Sequence, residues 1–208
     1  GIPLDNNASN DYLIIRPQYA LSYNSELNVP NWVSWNLHRG WFGGVPRYSG
    51  NFIQDTSLPA EFYKVKHTDY TNSGYDRGHM VRSEERTATA EDNKSTFLLT
   101  NIMPQTPTLN QQTWLSLEFE CERLCKDQNK ELFIVAGGIF GANPKRLNTV
   151  VSVPDTVKLP ESVTLPVNVC PLRASLLSSL ADTAFAAISL AVTAFAAIWS
   201  AVIWASSM

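Results

Sequence analysis

Apolar residues in the first part of the chain occur in short runs, or alternate with polar residues, between positions rich in Pro, Gly and Asn. That pattern is typical of short β-strands. It predicts three early strands, at Asp11–Arg16, Tyr19–Tyr23 and Trp32–Leu37. Two later apolar runs, Phe97–Thr100 and Leu132–Ala136, are predicted to form buried strands.

One segment, Thr113–Gln128, shows the spacing of an amphipathic helix. Its apolar positions recur at helical intervals: Trp114, Leu117, Cys121, Leu124 and Cys125. We expect the two cysteines to lie on the buried face as small hydrophobic residues. By contrast, the polar stretch from Met80 to Asp92 is predicted to be a surface loop or short helix whose charges are solvated.

Composition adds few constraints. With 208 residues, 44% hydrophobic and 17% charged, the chain is typical of one globular domain with a substantial core. The formal charge of −3 does not indicate a polyanion partner, so nucleic-acid binding would depend on local clusters of Arg and Lys. Three cysteines do not indicate a disulfide framework, and a zinc site built from Cys121, Cys125 and Cys170 is a weak alternative.

Candidate chemistry is concentrated at Asp76-Arg77-Gly78-His79 and in two downstream segments that contain Asn101 and Asn110. A histidine is suited to activate water near neutral pH, and an arginine offers a fork for phosphate oxygens. An asparagine oxygen suits Mg²⁺, which prefers oxygen ligands and keeps several waters. Glu118 follows Asn110 by about 12 Å along an ideal helix. Together these residues supply the groups that phosphodiester hydrolysis needs.

These segments closely resemble the DNA/RNA non-specific endonuclease family, the ββα-metal nucleases, from about Asp11 to about Val153. The resemblance implies an α+β fold with a mixed or antiparallel central sheet, whose site is a β-hairpin followed by the Thr113–Gln128 helix. It also implies Mg²⁺-dependent cleavage of DNA and RNA, with Mn²⁺ as a substitute, and a protein inhibitor as a further partner. We expect a secreted or extracytoplasmic location.

The resemblance also implies individual roles. His79 would be the general base, Asn110 the sole direct protein ligand of Mg²⁺, and Glu118 the residue that orients one of the metal's waters. Further members of the site would support it or bind phosphate: Asn101, Asp76, Arg77 and Arg47. Two spacings depart from the family pattern. Arg47 lies one residue off its expected spacing to the following Asn-Phe, and Arg123 follows Glu118 by five positions instead of four.

The C-terminal part has a different composition. We place a nuclease domain at residues 1–170, apparently without the family's last strands, and a hydrophobic tail at 171–208. Residues 184–204 carry no charge and are long enough to span a bilayer as a helix. Three interpretations stay open: a membrane anchor, a buried helix of a remodelled domain, or an aberrant sequence that replaces the true C-terminus. The alternatives to an active enzyme are a nucleic-acid-binding relic and a membrane-anchored protein.

Overall fold

The computed structural model describes residues 10–140 and, for the backbone, 199–207. Its main sheet has five antiparallel strands in the order β1-β2-β3-β6-β7. Their bounds are β1 Tyr12–Ile15, β2 Ala20–Asn24, β3 Val29–Leu37, β6 Lys130–Gly138 and β7 Trp199–Ser207. The predictions of four of these strands from alternation and apolar runs are therefore confirmed, with shifted ends.

A second, two-stranded sheet pairs β4 (Asp76–His79) with β5 (Ile102–Gln105) in antiparallel register. Gly78 lies opposite Met103, and a Cβ atom at Gly78 would collide with the side chain of Gln105. Glycine is therefore required for the close approach of these strands. The predicted hairpin exists as this antiparallel pair, but a long connection that contains α1 (Ala90–Ser95) separates its strands.

The helix α2 spans Leu115–Lys126 and follows a π-helical segment at Leu109–Trp114. Cys121 and Cys125 are buried, as the helical spacing predicts, because they face the main sheet with Leu124. The core joins α2 to strands β2, β3 and β6. This packing presents the start of the helix to the β4–β5 pair.

Two predictions of local structure are wrong. Phe97–Thr100 is not a strand: Leu98 makes only an isolated bridge to Ile53, and Leu99–Asn101 forms a 3-10 turn before β5 begins. The charges of Met80–Asp92 are not uniformly solvated, since Glu85 and Arg86 are almost fully buried. Both errors arise because tertiary contacts, and not local composition, decide which side of these segments faces the core.

The predicted helical tail is also wrong for Trp199–Ser207, which pairs with β6 along its whole length. This segment is rich in β-branched and aromatic residues, which suit a strand, and β6 offers it an edge. The rest of the tail, residues 171–198, lies outside the described residues, as does most of the proposed 184–204 span. In the described ranges, no helix is long and apolar enough to cross a membrane.

Candidate active site

A cleft of about 280 Å³ lies between the β4–β5 pair, the start of α2 and the loop that carries Arg47. Five predicted site residues line it: Arg47, Arg77, His79, Asn110 and Glu118. The cleft also contains five residues that were not predicted for the site: Phe52, Arg82, Glu84, Gln111 and Leu115. The fold thus gathers residues that are more than 70 positions apart in the sequence.

His79 ends strand β4 and is held by its surroundings. Its backbone oxygen accepts a hydrogen bond from the indole nitrogen of Trp114 at 3.0 Å, and its ring contacts Phe52 and Phe97 at centroid distances of 5.2 and 4.9 Å. Its Nε2 atom is buried and has no hydrogen-bond partner among the described residues. A buried polar atom without a partner is costly unless a ligand or water uses it.

The electrostatic setting keeps this imidazole neutral. The pKa of His79 is lowered to about 3, mainly by burial and next by the positive charge of Arg47, whereas the carboxylate of Glu84 opposes the shift. A neutral ring can accept a proton at pH 7, although a strongly lowered pKa also weakens the base. An anionic ligand beside the ring would favour its protonated form and so raise the pKa.

Asp76 orients Asn110 from the start of β4. Its Oδ2 atom accepts hydrogen bonds from the amide nitrogens of Asn110 and Gln111, at 2.9 and 2.8 Å. Since a carboxylate can only accept, the side-chain nitrogen of Asn110 must face Asp76. The amide oxygen is thereby left as the atom of Asn110 that can bind a cation.

Glu118 lies one turn into α2, with its side chain only 12% exposed. Burial raises its pKa well above the ordinary value, and the nearby carboxylate of Glu85 raises it further, whereas Arg82 lowers it from 3.4 Å away. A carboxyl group in such a setting ionises more readily when a cation enters the cleft. The position of Glu118 in the cleft with Asn110 fits the predicted arrangement, in which the amide oxygen of Asn110 binds the divalent ion and Glu118 orients one of the ion's waters.

No group of three or more His, Cys, Asp or Glu side chains in the described ranges is arranged to hold a metal ion. A divalent ion in the cleft would thus have few protein ligands and would retain water. Mg²⁺ tolerates that arrangement, since one or two protein oxygens suffice for it. Cys170, the third cysteine of the alternative zinc site, lies outside the described residues.

The two predicted phosphate-binding arginines are held differently. Arg77 donates to the backbone oxygen of His67, with its Nη2 atom at 2.8 Å, and lies beside the rings of Phe52 and Tyr70. Arg47 is half exposed and pairs with Glu84 at 2.9 Å. One guanidinium is fixed by the protein backbone and the other by a carboxylate at the cleft rim.

Two residues lie away from the cleft. Asn101 is fully buried: its amide nitrogen donates to the backbone oxygens of Val81 and Thr96, and its amide oxygen accepts from the Val81 nitrogen. Asn101 therefore fixes the chain just after His79 and does not line the cleft. Arg123 makes a two-point ion pair with Glu120 on the exposed side of α2.

Sequence reasoning missed Arg82 and Glu84, which were assigned to a solvated loop. Arg82 is only 11% exposed and contacts three carboxylates, those of Glu84, Glu118 and Glu122. Its partners on α2 lie as many as 40 positions away, so no local pattern could have identified it. Only the pairing of the loop with α2 brings these charges together.

Comparisons with known proteins agree with the family resemblance of the sequence. The sequence model of the DNA/RNA non-specific endonuclease family matches residues 4–168, beyond the end near Val153 that the motifs indicate. A nuclease of Nostoc sp. is 49% identical over 144 residues, which cover 69% of this chain and 52% of that protein. Mitochondrial endonuclease G of Bos taurus is 31% identical over 126 residues, 60% of this chain and 42% of that protein.

A solved structure gives the same result for the fold. This chain aligns with EndoG at a TM-score of 0.56 and 30% sequence identity. The EndoG structure comes from a crystal of the EndoG/EndoGI complex, a study of how EndoG is inhibited. The alignment covers 65% of this chain and 58% of that chain. The present chain spans about half the length of the curated relatives it matches.

Proposed function

The chain belongs to the DNA/RNA non-specific endonuclease family, and from that premise we propose that it is a Mg²⁺-dependent endonuclease that hydrolyses phosphodiester bonds in DNA and RNA. The observation that carries the proposal is the Nε2 atom of the neutral His79, which has no hydrogen-bond partner among the described residues, in a cleft that also contains three arginines, Asn110 and Glu118. Mn²⁺ is expected to substitute for Mg²⁺.

In this proposal the nucleic acid is bound through its phosphates. Arg77 and Arg47 neutralise the phosphate charge, and their guanidinium groups present paired donors to its oxygens. Contacts of this kind carry no base information, so sequence preference is weak and affinity falls as salt rises. The bound phosphate also raises the pKa of His79 and makes it a stronger base when substrate is present.

His79 then takes a proton from the attacking water, which approaches the phosphorus in line with the leaving oxygen. Asn110 would hold the divalent ion through its amide oxygen, Glu118 would orient one of the ion's waters, and Asp76 keeps the amide of Asn110 in the orientation that this requires. When bound, the ion supplies Lewis-acid stabilisation of the charge that develops on the phosphate. Asn101 acts only by fixing the backbone after His79.

The experiment that tests this function is incubation of the purified chain with supercoiled plasmid and with RNA, in Mg²⁺, in Mn²⁺ and in EDTA. Cleavage of both substrates is expected with either metal and not with EDTA. The variant His79→Ala should lose about 10²- to 10⁴-fold in rate, the usual contribution of a general base. Gel analysis of time courses measures both effects.

The matched control is His38→Ala, since His38 lies outside the cleft, where it caps a short 3-10 turn and its ring contacts Trp41. It should cleave at the rate of the unmodified chain. Thermal melting of each variant separates loss of folding from loss of chemistry. Folded protein that cuts neither substrate in either metal, or a His79→Ala variant that keeps full activity, would contradict the proposal.

A protein inhibitor and a location outside the cytoplasm remain proposals of the same kind. The family resemblance suggests the inhibitor, and the solved EndoG/EndoGI complex, which concerns inhibition of EndoG, supports it. If this chain binds EndoGI, the partner in that complex, the two proteins should co-purify whether or not His79 is present. Binding that survives His79→Ala and competes with DNA would support a partner at the cleft.

A further inference from the structure

Glu84 lies at the cleft between two arginines. Its Oε1 atom accepts a hydrogen bond from Nη1 of Arg47 at 2.9 Å, and its Oε2 atom lies 3.3 Å from Nε of Arg82. The hydroxyl of Ser83 donates to the same Oε2 atom at 2.8 Å and also contacts Arg47. One carboxylate is therefore surrounded by two guanidinium groups and a hydroxyl.

The two guanidinium groups are the ones that a phosphate would use. Carboxylate and phosphate both present negatively charged oxygens to the fork of an arginine, with similar hydrogen-bond distances. Although partial burial opposes it, the Ser83 hydroxyl and the charge of Arg47 lower the pKa of Glu84, so its side chain is an anion at neutral pH. The surroundings of the Glu84 carboxylate therefore favour a negatively charged group at this position.

The occupant is also accessible. The side chains of Arg47 and Glu84 are 49% and 39% exposed, whereas Arg82 is 11% exposed and anchored from behind by Glu122 at 2.8 Å. A ligand can thus reach the pair from solvent while Arg82 stays in place. Glu84 can leave by rotating into solvent without any rearrangement of the core.

We propose that Glu84 is an internal competitor for substrate: its carboxylate occupies a phosphate subsite formed by Arg47 and Arg82, and a phosphate of the nucleic acid displaces it. The inference rests on the proposed function and adds Arg82 to the residues that contact the substrate. Ser83 is fully buried, so it positions Arg47 and does not itself meet the ligand.

The competition is expected to be modest. An ion pair this exposed is worth about 0.2–1 kcal/mol, which corresponds to about 1.5- to 5-fold in an equilibrium constant. Removing the charge of Glu84 should therefore tighten binding several-fold. It should also make the salt dependence of binding steeper, by up to about one unit of slope, because a cation now neutralised internally becomes available to a phosphate.

The experiment measures binding of a short fluorescein-labelled DNA strand to the full chain by fluorescence anisotropy, in EDTA so that no cleavage is expected. The variant Glu84→Gln keeps the length of the side chain and removes its charge. We expect its dissociation constant to fall about two- to five-fold at low salt, with a steeper salt slope. In cleavage assays with Mg²⁺, the change should appear in KM and not in kcat.

The matched control is Glu120→Gln, which changes the net charge by the same amount but on the exposed side of α2, where Glu120 pairs with Arg123. It should leave binding nearly unchanged. A double variant tests whether Arg47 is a partner of Glu84 in this effect. In an Arg47→Ala background, Glu84→Gln should increase DNA affinity by a smaller factor, because one of the two cations that Glu84 neutralises is gone.

The outcomes separate this inference from the proposed function. If the unmodified chain binds and cuts DNA but Glu84→Gln binds no more tightly than Glu120→Gln, the subsite is overturned and the nuclease stands. If Glu84→Gln tightens binding and no cleavage occurs in any metal, the subsite stands and the catalytic function fails. Absence of binding by every folded variant would overturn both.

Discussion

Two pairs of charged residues in the loop after β4 lie in opposite environments, although they are neighbours in the sequence. Arg82 and Glu84 face the cleft and contact each other and α2. Glu85 and Arg86 face the core and are almost fully buried. The guanidinium of Arg86 donates to the backbone oxygens of Glu85, Gln18 and Asn36 and lies 4.2 Å from the centre of the Trp41 ring.

The different environments of these two pairs indicate different roles. The 3-10 turn at Ser83–Glu85 has three residues per turn, so adjacent side chains point in directions about 120° apart. The core pair is held by backbone oxygens and by the Trp35 indole, and within this pair the Nε atom of Arg86 is buried without a hydrogen-bond partner in the described part of the chain, away from the cleft. The charges of the cleft pair, Arg82 and Glu84, are neutralised by other charged side chains, of which Arg47 is half exposed and can move. Variants of the core pair should therefore change stability, and variants at the cleft should change binding.

The largest effect is expected for Arg86→Met. Methionine fills most of the volume but leaves three backbone oxygens without their donor, and it removes one of the two cations that act on Glu85. Breaking a buried charged network in this way costs about 3–5 kcal/mol. Urea unfolding followed by fluorescence or circular dichroism measures the loss.

The control for that experiment is Arg123→Met, in which an exposed arginine of α2 is replaced by the same residue. Little change in the free energy of unfolding is expected there. Arg86→Met protein that remains folded should still bind DNA with the affinity of the unmodified chain. If Arg86→Met and Arg123→Met have the same free energy of unfolding, the proposed difference between the core pair and the cleft pair is wrong.

A smaller effect, visible only as a pH dependence, is expected for Glu85→Gln. Burial raises the pKa of Glu85 from 4.5 to about 7, and the charges of Arg86 and Arg82 oppose that rise. Because the folded-state pKa is raised, the stabilisation from protonated Glu85 is fully present below about pH 4.5 and is lost as pH rises through 7. The loss amounts to at most about 3 kcal/mol, from about 1.4 kcal/mol per pKa unit.

Glutamine carries no charge at any pH and can still accept the Trp35 hydrogen bond. The free energy of unfolding of Glu85→Gln should therefore fall less between about pH 5 and pH 8 than that of the unmodified chain. Urea titrations at several pH values measure this difference, in which contributions from groups that do not interact with Glu85 cancel. Parallel pH profiles for the two proteins would show that Glu85 does not titrate in this range.

The same contrast explains how far the sequence could predict this molecule. Most strands and α2 were identified because their apolar positions repeat with the period of the element. His79, Arg77 and Asp76 were predicted because they are adjacent in one motif, and Asn110 and Glu118 because the motifs that follow it in the same order resemble those of the nuclease family. The structure brings His79, Arg77, Asn110 and Glu118 to one cleft. In each case the signal lies within a few residues.

The failures share a cause as well. Nothing local separates Glu84 from Glu85, yet one contacts Arg47 across the cleft and the other contacts Trp35 in the core. Leu98 lies in an apolar run, but its only strand-like contact is with Ile53. Residues 199–207 were expected to be helical because they are apolar, whereas the free edge of β6 provides a partner for a strand. Such outcomes depend on distant residues.

The smallest effect on stability is expected for Arg47→Ala, which acts at the cleft alone. The side chain is half exposed, and ion pairs of this kind contribute little to folding. Its charge, however, lowers the pKa of His79, so its removal should raise that pKa towards the ordinary value of 6.5. Since His79 must be neutral to accept a proton, the acid limb of kcat/KM should move to higher pH.

Cleavage rates measured across the acid range with DNA as substrate would show this shift, together with a higher KM from the lost phosphate contact. Arg47→Lys is the matched control, because it keeps the charge near His79 but loses the guanidinium fork. It should raise KM and leave the acid limb in place. If both variants leave the limb unmoved while KM rises, Arg47 binds phosphate without tuning the base, and the low pKa of His79 results from burial alone.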